Sequence, residues 1–261
     1  MVRSLLTFIS IPALKDNYIW LIIHAPSRHC LIVDPGDAFP VLVALKKEQL
    51  NPIGILLTHH HRDHVGGVEN LLKNYSIPVF GPAQEKIACV TNPLWRHHER
   101  ILFETMQIDF QILSISGHTH GHIAYYGHGA VFCGDTLFTG GCGRIFEGTI
   151  PEMYAALNVL AALPDLTKIY CGHEYTIENL KFALMVEPKN MALQQRMQET
   201  INLRAANHST VPSTLVLEKA TNPFLRCHTT AVKEAAQTYC GRHLLTPMAV
   251  FSILREWKNI L

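Results

Sequence analysis

Short apolar runs punctuated by turn residues fill the chain up to about residue 173, and longer amphipathic stretches follow. Runs at 5–10, 18–24 and 30–33 have strand length, and the third closes on the turn Asp34-Pro35-Gly36-Asp37. A helix is predicted over 39–50, stopped by Asn51-Pro52, and a buried strand over 53–57. Beyond Gly66-Gly67 a helix is expected over 67–74, a strand over 77–80, and strand-like runs over 111–115 and 130–133. The clearest amphipathic helix spans 151–163, where Met153, Leu157, Leu160 and Ala161 recur at helical spacing and Pro151 suits the first turn. That stripe is core and carries no function. After one more strand at 168–171 the strand signals fade, and helices are predicted over 177–186, 191–207, 230–239 and 247–258. The Thr-, Ser- and Pro-rich segment 208–227 reads as a long irregular connection. This change of texture puts a domain boundary near residue 174, giving domains 1–174 and 175–261, with no internal repeat or low-complexity tract in either.

Four of the predicted strands end on residues that bind metals. The run 53–57 leads into Thr58-His59-His60-His61-Arg62-Asp63-His64, an H-x-H-x-D-H cluster. In extended chain alternate side chains share a face, so His59 and His61 can reach one ion while His60 faces elsewhere. Asp63 and His64 fall where the chain should turn into a helix and would point toward a second position nearby. The run 111–115 ends in Ser116-Gly117-His118-Thr119-His120-Gly121-His122, the run 130–133 in Gly134-Asp135-Thr136, and the run 168–171 in Gly172-His173-Glu174. Each candidate sits beside a glycine, where the backbone can turn tightly and aim a side chain into a shared cleft. A His-rich surface loop would explain the first cluster alone, not four strand ends bearing one donor chemistry. Imidazole and carboxylate together suit zinc, manganese or iron without singling one out. His60, His120, His122 and His128 read as solvent-facing or packing residues, although a hydrogen bond to a ligand is open to any of them.

Composition narrows the classes. With 261 residues, 48% hydrophobic and 16% charged, the chain can bury a real core as one large domain or two unequal ones. A net charge of +1 without any run of Lys and Arg argues against a nucleic-acid partner. The longest apolar stretches, such as 19–23, fall far short of the roughly 18 residues of a membrane span, so no membrane partner is expected. Residues 1–14, with Arg3 among apolar positions, lack a small-residue cleavage pattern and read as the first strand. Seven cysteines without regular spacing argue against a disulfide framework and for a reducing, cytoplasmic compartment. Cys133, Cys142 and Cys171 flank the metal motifs but read as packed small apolar side chains.

The set His59, His61, Asp63, His64, His118, Asp135 and His173 resembles the ligand set of the metallo-β-lactamase superfamily. The strings Ile11-Pro12-Ala13-Leu14-Lys15-Asp16-Asn17-Tyr18, Gly134-Asp135-Thr136-Leu137-Phe138, Gly140-Gly141-Cys142-Gly143-Arg144 and Gly172-His173-Glu174-Tyr175-Thr176 are similar to one branch, the glyoxalase II or hydroxyacylglutathione hydrolase family. The likeness extends over essentially the whole chain. Ser116 departs from it, since a proline commonly precedes the Gly-His-Thr string, but it lies outside the ligand set. The resemblance implies an α/β (α+β) fold, a four-layer αββα sandwich followed by a smaller helical substrate-binding domain. It also implies one ion on His59, His61 and His118 and another on Asp63, His64 and His173, with Asp135 bridging. Zinc is the first choice for both divalent metal ions, with iron or manganese as alternatives. Asp63 and Asp135 would then act in catalysis by holding a metal-bound hydroxide, whose parent water is made far more acidic, with a pKa of roughly 7. Two divalent ions bring four positive charges, and Asp63, Asp135 and one hydroxide remove three; the oxyanion that forms at a carbonyl neutralises the rest.

For the substrate, the resemblance assigns Arg144, Phe146, Tyr175, Arg255 and Lys258 to the grip on glutathione. Phe146 stands where tyrosine also occurs, so any phenol contact is lost. Arg255 and Lys258 share a helix face at i and i+3; such a pair is usually a solvated surface, and only the family likeness ties it to substrate. The implied activity is hydrolysis of S-(2-hydroxyacyl)glutathione, such as the D-lactoyl thioester, in methylglyoxal degradation, by a monomer. A thioester suits the site because its thiolate leaves without a strong general acid. The main alternative is a persulfide dioxygenase, which on the same scaffold uses a single iron held by two His and one Asp; Arg255 and Lys258 speak against it. A zinc-rich β-lactamase would place Cys at the position of Asp135, an RNA-processing nuclease would carry a basic insertion, and a non-catalytic scaffold would lack ligands that this chain retains.

Overall fold

The computed structural model describes residues 5–261; residues 1–4, with Arg3 and the start of the predicted first strand, lie outside the described residues. Two compact units are present, one running to Ser114 and including Gly121–Gly134, the other comprising Ile115–His120 and Asp135–Leu261.

In the first unit, β1 (Leu6–Ala13), β2 (Asn17–His24) and β3 (His29–Val33) form an antiparallel meander. All of β2 except its last residue is buried, which is why residues 18–23 are continuously apolar instead of alternating. Helix α1 (Ala38–Glu48) then supplies the crossover that the parallel strand β4 (Asn51–Leu56) requires. Asp37 caps α1 by accepting from Phe39 N at 2.9 Å. Two short helices, α2 (Arg62–Val65) and α3 (Val68–Leu72), precede β5 (Val79–Pro82) and β6 (Asn92–Leu94), completing a sheet in the order β1-β2-β3-β4-β5-β6. Val41 and Leu45 of α1 and Val68 and Leu71 of α3 form one apolar cluster with Ile19, Leu21, Ile32 and Ile55. That packing fixes the end of β4, where the His-rich loop starts. An antiparallel ladder, β7 (Arg100–Phe103), β8 (Ile108–Ser114), β9 (Ile123–Gly127) and β10 (Ala130–Gly134), completes the unit. The buried Tyr125 of β9 donates to the Leu57 carbonyl at 2.7 Å.

In the second unit β11 (Leu137–Phe138) and β12 (Gly141–Cys142) make a minimal hairpin. It is followed by α4 (Ile150–Ala161), β13 (Lys168–Cys171), α5 (Thr176–Val186), α6 (Met191–Ala205), β14 (Ser213–Thr214), α7 (Leu215–Thr221), α8 (Thr230–Cys240) and α9 (Pro247–Asn259). β14 pairs antiparallel with β13. The Phe224 ring lies 5.8 Å from both Phe182 of α5 and Phe251 of α9, and Phe251 lies 5.6 Å from Tyr154 of α4. Among the described residues, no helix is long and apolar enough to cross a membrane.

Three expectations change. The segment 208–227 is not irregular, for it holds β14, α7 and the 3-10 turn Pro223–Leu225. A seven-residue helix is too short to show a hydrophobic period, and tertiary contacts hold it, led by the buried Arg196–Glu218 ion pair. The helix predicted over 67–74 is the shorter α3, and a separate one-turn helix, α2, precedes it, so Asp63 and His64 lie inside a helix. A Cβ on Gly67 would come within 2.5 Å of Ala38 N, so only glycine fits between them. Strands β6 and β7, three and four residues long, were not expected from the sequence pattern.

Helix α4 begins on a capping box, in which the Thr149 side chain accepts from Glu152 N and the Glu152 carboxylate accepts from Thr149 N at 2.7 Å. Thr149→Ala should lower the unfolding free energy by about 1 kcal/mol. Urea denaturation measures it, and an unchanged midpoint would deny the cap any role.

Candidate metal centre and substrate pocket

In the first unit the chain leaves β4 through Thr58 and His59, both fully buried, and enters α2 after His61. A buried carboxylate just beyond β3 organises this loop. Asp34 Oδ1 accepts from Thr58 N at 2.8 Å, and its Oδ2 accepts from Thr58 Oγ1 at 2.6 Å and from His64 Nδ1 at 3.0 Å. Because the Thr58 hydroxyl proton goes to Asp34, its oxygen accepts from His59 Nδ1, 3.0 Å away. Both histidines therefore carry their proton on Nδ1 and present the Nε2 lone pair. Asn17 Nδ2 donates to Asp63 Oδ2 at 2.9 Å, and that oxygen lies 3.5 Å from His64 Nε2. The His59 ring centroid lies 4.7 Å from that of His61 and 4.2 Å from that of His64.

Two of the histidines left outside the ligand set have defined partners. His122 is buried and stacks on His59 with centroids 4.6 Å apart. His60 lies 2.9 Å from Glu85 Oε2, which also accepts from His60 N, while Glu85 Oε1 accepts from Gly121 N at 3.1 Å.

In the second unit His118, Asp135 and His173 come together. His118 Nδ1 donates to the Arg144 carbonyl at 2.8 Å, leaving Nε2 toward Asp135 Oδ2 at 3.6 Å. His173 Nε2 lies 3.2 Å from the same oxygen. The His173 ring stacks on Tyr175, with centroids 4.6 Å apart and planes within 4°. A Cβ on Gly143 would stand 1.8 Å from the Asp135 carbonyl oxygen, so glycine is required where the chain folds back over the carboxylate.

The donor sets fit divalent ions. Two ligands each about 2.0–2.2 Å from one tetrahedral ion lie roughly 3.3–3.6 Å apart, and the His64–Asp63, His118–Asp135 and His173–Asp135 spacings fall in or near that range. Imidazole nitrogens with fixed tautomers and carboxylate oxygens are also the right chemistry.

A cavity of about 400 Å³ in the second unit is lined by all five residues assigned to substrate, Arg144, Phe146, Tyr175, Arg255 and Lys258, together with His118 and Asp135. The cations differ in kind. Arg255 is 3% exposed, and its Nη1 donates to the carbonyls of Cys142 at 2.9 Å and Gly143 at 3.4 Å, so it braces the cavity wall. Lys258 donates to Asn179 Oδ1. Burial, with Arg255 beside it, lowers the Lys258 pKa to about 8. Burial also pushes the Cys142 thiol up, in keeping with a packed side chain.

The sequence reading missed Asp34, Thr58, Asn17, Glu85 and Asn179 as partners of the site. Asp34 was visible only as a turn residue, because Asp-Pro-Gly is a turn signal in its own right; its ligand-orienting role depends on the parallel pairing of β3 with β4.

Fold and donor set together define a member of the metallo-β-lactamase class, whose His and Asp donors serve divalent metals. The family model described as Metallo-beta-lactamase superfamily matches residues 15–173, and that described as Hydroxyacylglutathione hydrolase C-terminus matches residues 174–261. The hydroxyacylglutathione hydrolase of Nitrosomonas eutropha is 49% identical over 250 residues, covering 95% of this chain and 96% of that protein. The enzyme of the same name from Alkalilimnicola ehrlichii is 50% identical over 251 residues, covering 96% and 98%. The crystal structure of ETHE1 from Myxococcus xanthus matches with a TM-score of 0.65 at 22% identity, covering 97% of this chain and 99% of that one, a likeness of fold alone. The chain belongs to the hydroxyacylglutathione hydrolase family of the metallo-β-lactamase superfamily.

Asp34→Asn should keep the fold and weaken divalent-metal affinity about 10- to 100-fold, the usual cost of losing a ligand's orienting partner. Competition with a chromophoric chelator measures it, and wild-type affinity would show that Asp34 orients nothing.

Proposed function

We propose that this chain hydrolyses S-(2-hydroxyacyl)glutathione thioesters, such as S-D-lactoylglutathione, to glutathione and a 2-hydroxy acid, as a step of methylglyoxal degradation. The observation that carries the reading is the cavity in which the His118–Asp135 donor pair shares walls with Arg144, Arg255 and Lys258. A metal-donor pair and three cations suit a substrate with a reactive acyl group at one end and carboxylates at the other. Relatives of about half identity over nearly the full length, named for this activity, support it.

In this reading His59, His61 and His118 hold one ion, Asp63, His64 and His173 hold the other, and Asp135 is shared. We assign zinc, which accepts N and O donors without redox chemistry. Divalent ions there would supply Lewis acidity for water activation and carbonyl polarisation. Asp63 and Asp135 contribute negative charge that holds the ions, and Asp34 and Asn17 keep the loop donors aimed. Tyr175 and Phe146 help to grip the tripeptide, Arg144 and Lys258 attract the glutathione carboxylates, and Arg255 adds positive charge from the wall it braces. The departing thiolate needs no general acid, and none is assigned. Residues 175–261 act as the substrate-binding helical domain. A monomer in the cytoplasm, with neither nucleic acid nor membrane as partner, fits a chain of net charge +1 that carries its seven cysteines as thiols.

Purified protein should bind up to two divalent ions per chain and lose thioesterase activity on chelation. Elemental analysis alongside hydrolysis of S-D-lactoylglutathione tests this. Full activity with never more than one ion would defeat the two-ion assignment, and a single iron with persulfide oxidation in place of hydrolysis would replace the reading.

Lys258 carries its charge below a pKa of about 8 and loses it above. KM for a glutathione thioester should therefore climb as pH rises through that value, while kcat holds. A hydrogen bond to a charged group contributes about 1.5–3 kcal/mol, so Lys258→Met should raise KM about 10- to 150-fold at neutral pH and flatten the climb. Identical KM profiles in the two proteins would remove Lys258 from the binding step.

A further inference from the structure

The β11–β12 hairpin has little means of holding its own shape. Its pairing consists of Leu137↔Cys142 and Phe138↔Gly141, with one more bond from Gly143 N to the Thr136 carbonyl at 3.1 Å, yet Asp135 lies just before it and Arg144 just after. Buried side chains from the C-terminal helical region hold it instead. At the tip, Gly140 N donates to Glu218 Oε2 at 2.9 Å, and Gly140 has φ +72°, a conformation that only glycine adopts easily. Asn222 Nδ2 donates to the Gly141 carbonyl at 2.9 Å and to Glu218 Oε2 at 3.0 Å. Glu218 and Asn222 are both fully buried. A carboxylate in such a place stays ionised only if it is paired and hydrogen-bonded. Arg196, 4% exposed, supplies the charge, donating to Glu218 Oε1, to Thr221 Oγ1 and, at 2.9 Å, to Ser213 Oγ.

A network of buried charge is a poor way to gain stability, since apolar residues of similar volume often serve as well or better. It is a good way to fix one backbone segment in one place, because every partner has a unique geometry. We propose that the Arg196–Glu218–Asn222 cluster is a positioning device that, through the hairpin, sets Asp135 and the Arg144 end of the cavity. Glu218 touches neither the cavity nor the donors; it acts through Gly140. The inference rests on the functional reading given above for Asp135. Displacement of the hairpin moves the shared ligand and a substrate-facing cation together, so metal affinity and catalysis fall together.

The test compares wild type with Glu218→Gln and with the double variant Arg196→Gln/Glu218→Gln. Glutamine keeps an acceptor for Gly140 but leaves Arg196 as an unpaired buried charge, and the double variant removes that charge. Zinc affinity by chelator competition, kcat and KM for S-D-lactoylglutathione, and the thermal midpoint are measured at a temperature where circular dichroism shows each protein folded. Glu218→Gln should lose about tenfold in affinity for the weaker-bound zinc and about tenfold in kcat/KM, and the double variant should recover part of both. Wild-type zinc affinity and kcat/KM in folded Glu218→Gln, with only the midpoint lowered, would overturn the proposal and leave the cluster a stability element. If Glu218→Gln does not fold, Asn222→Ser, which drops the Gly141 contact and keeps the ion pair, is measured in the same way, and unchanged affinity again overturns it. Wild-type protein that binds no zinc or leaves the thioester intact defeats the functional reading itself, whereas an active wild type with indifferent variants defeats the positioning role alone.

Discussion

Asp34 accepts three hydrogen bonds inside the first unit, and the geometry of the His-rich loop follows from them. The carboxylate reaches this place because Asp34 N donates to the Leu56 carbonyl at 3.0 Å, extending the parallel β3–β4 ladder by one more bond. It then turns with φ +50°, a left-handed conformation that aspartate tolerates better than most residues. Gly36 follows, where a Cβ would stand 1.8 Å from the Asp63 carbonyl oxygen, so the turn can lie directly against α2. Sheet register, a strained turn and a missing side chain thus combine to put one negative charge beneath two imidazoles. That charge, once buried, has to be satisfied, and satisfying it fixes both ring tautomers.

The second unit solves the same problem with different parts. Its donors stand on loops, Asp135 just before a hairpin of two-residue strands, which regular secondary structure alone cannot keep rigid. Buried groups from sequence-distant helices grip the backbone instead: Asn179 Nδ2 donates to the Thr139 carbonyl at 3.0 Å, Arg255 to Cys142 and Gly143, and Glu218 and Asn222 hold Gly140 and Gly141. The helical region therefore has a structural task besides its proposed part in substrate binding. It is part of what gives Asp135 a fixed position.

Much of this was legible in the residues. The seven residues proposed as donors lie in strings whose spacing and glycines suggested them, and the long helices α4, α5, α6, α8 and α9 are close to where periodicity puts them. What was not legible has a common physical cause. Asp34 looks like any Asp-Pro-Gly turn until β3 and β4 are paired, and Glu218 looks like a surface residue of a loop until Arg196, 22 residues away, is brought against it. Local patterns report local forces, and both residues act through contacts that only the tertiary fold creates. The seven residues of α7 and the three of β6 are also too few for a period to be counted.

Arg255 and Lys258 illustrate how far a shared helix face can be read. Both lie on α9, three residues apart, and both line the cavity. Yet guanidinium and ammonium are suited to different work: a planar fork can bridge two neighbouring carbonyls and still keep donors in reserve, whereas a compact ammonium loses charge readily when buried. Arg255 accordingly stays buried against Cys142 and Gly143 with its ring contact to Phe224 at 5.2 Å, and Lys258 is the group whose pKa falls to about 8. Exchanging the two residues would preserve the formal charge of the cavity, but a lysine at 255 would lose the planar fork and its Nε bond to Asn259, and an arginine at 258 would not titrate near neutrality. The electrostatics of the cavity thus depend on which cation stands where, a distinction that neither charge counting nor helical periodicity contains.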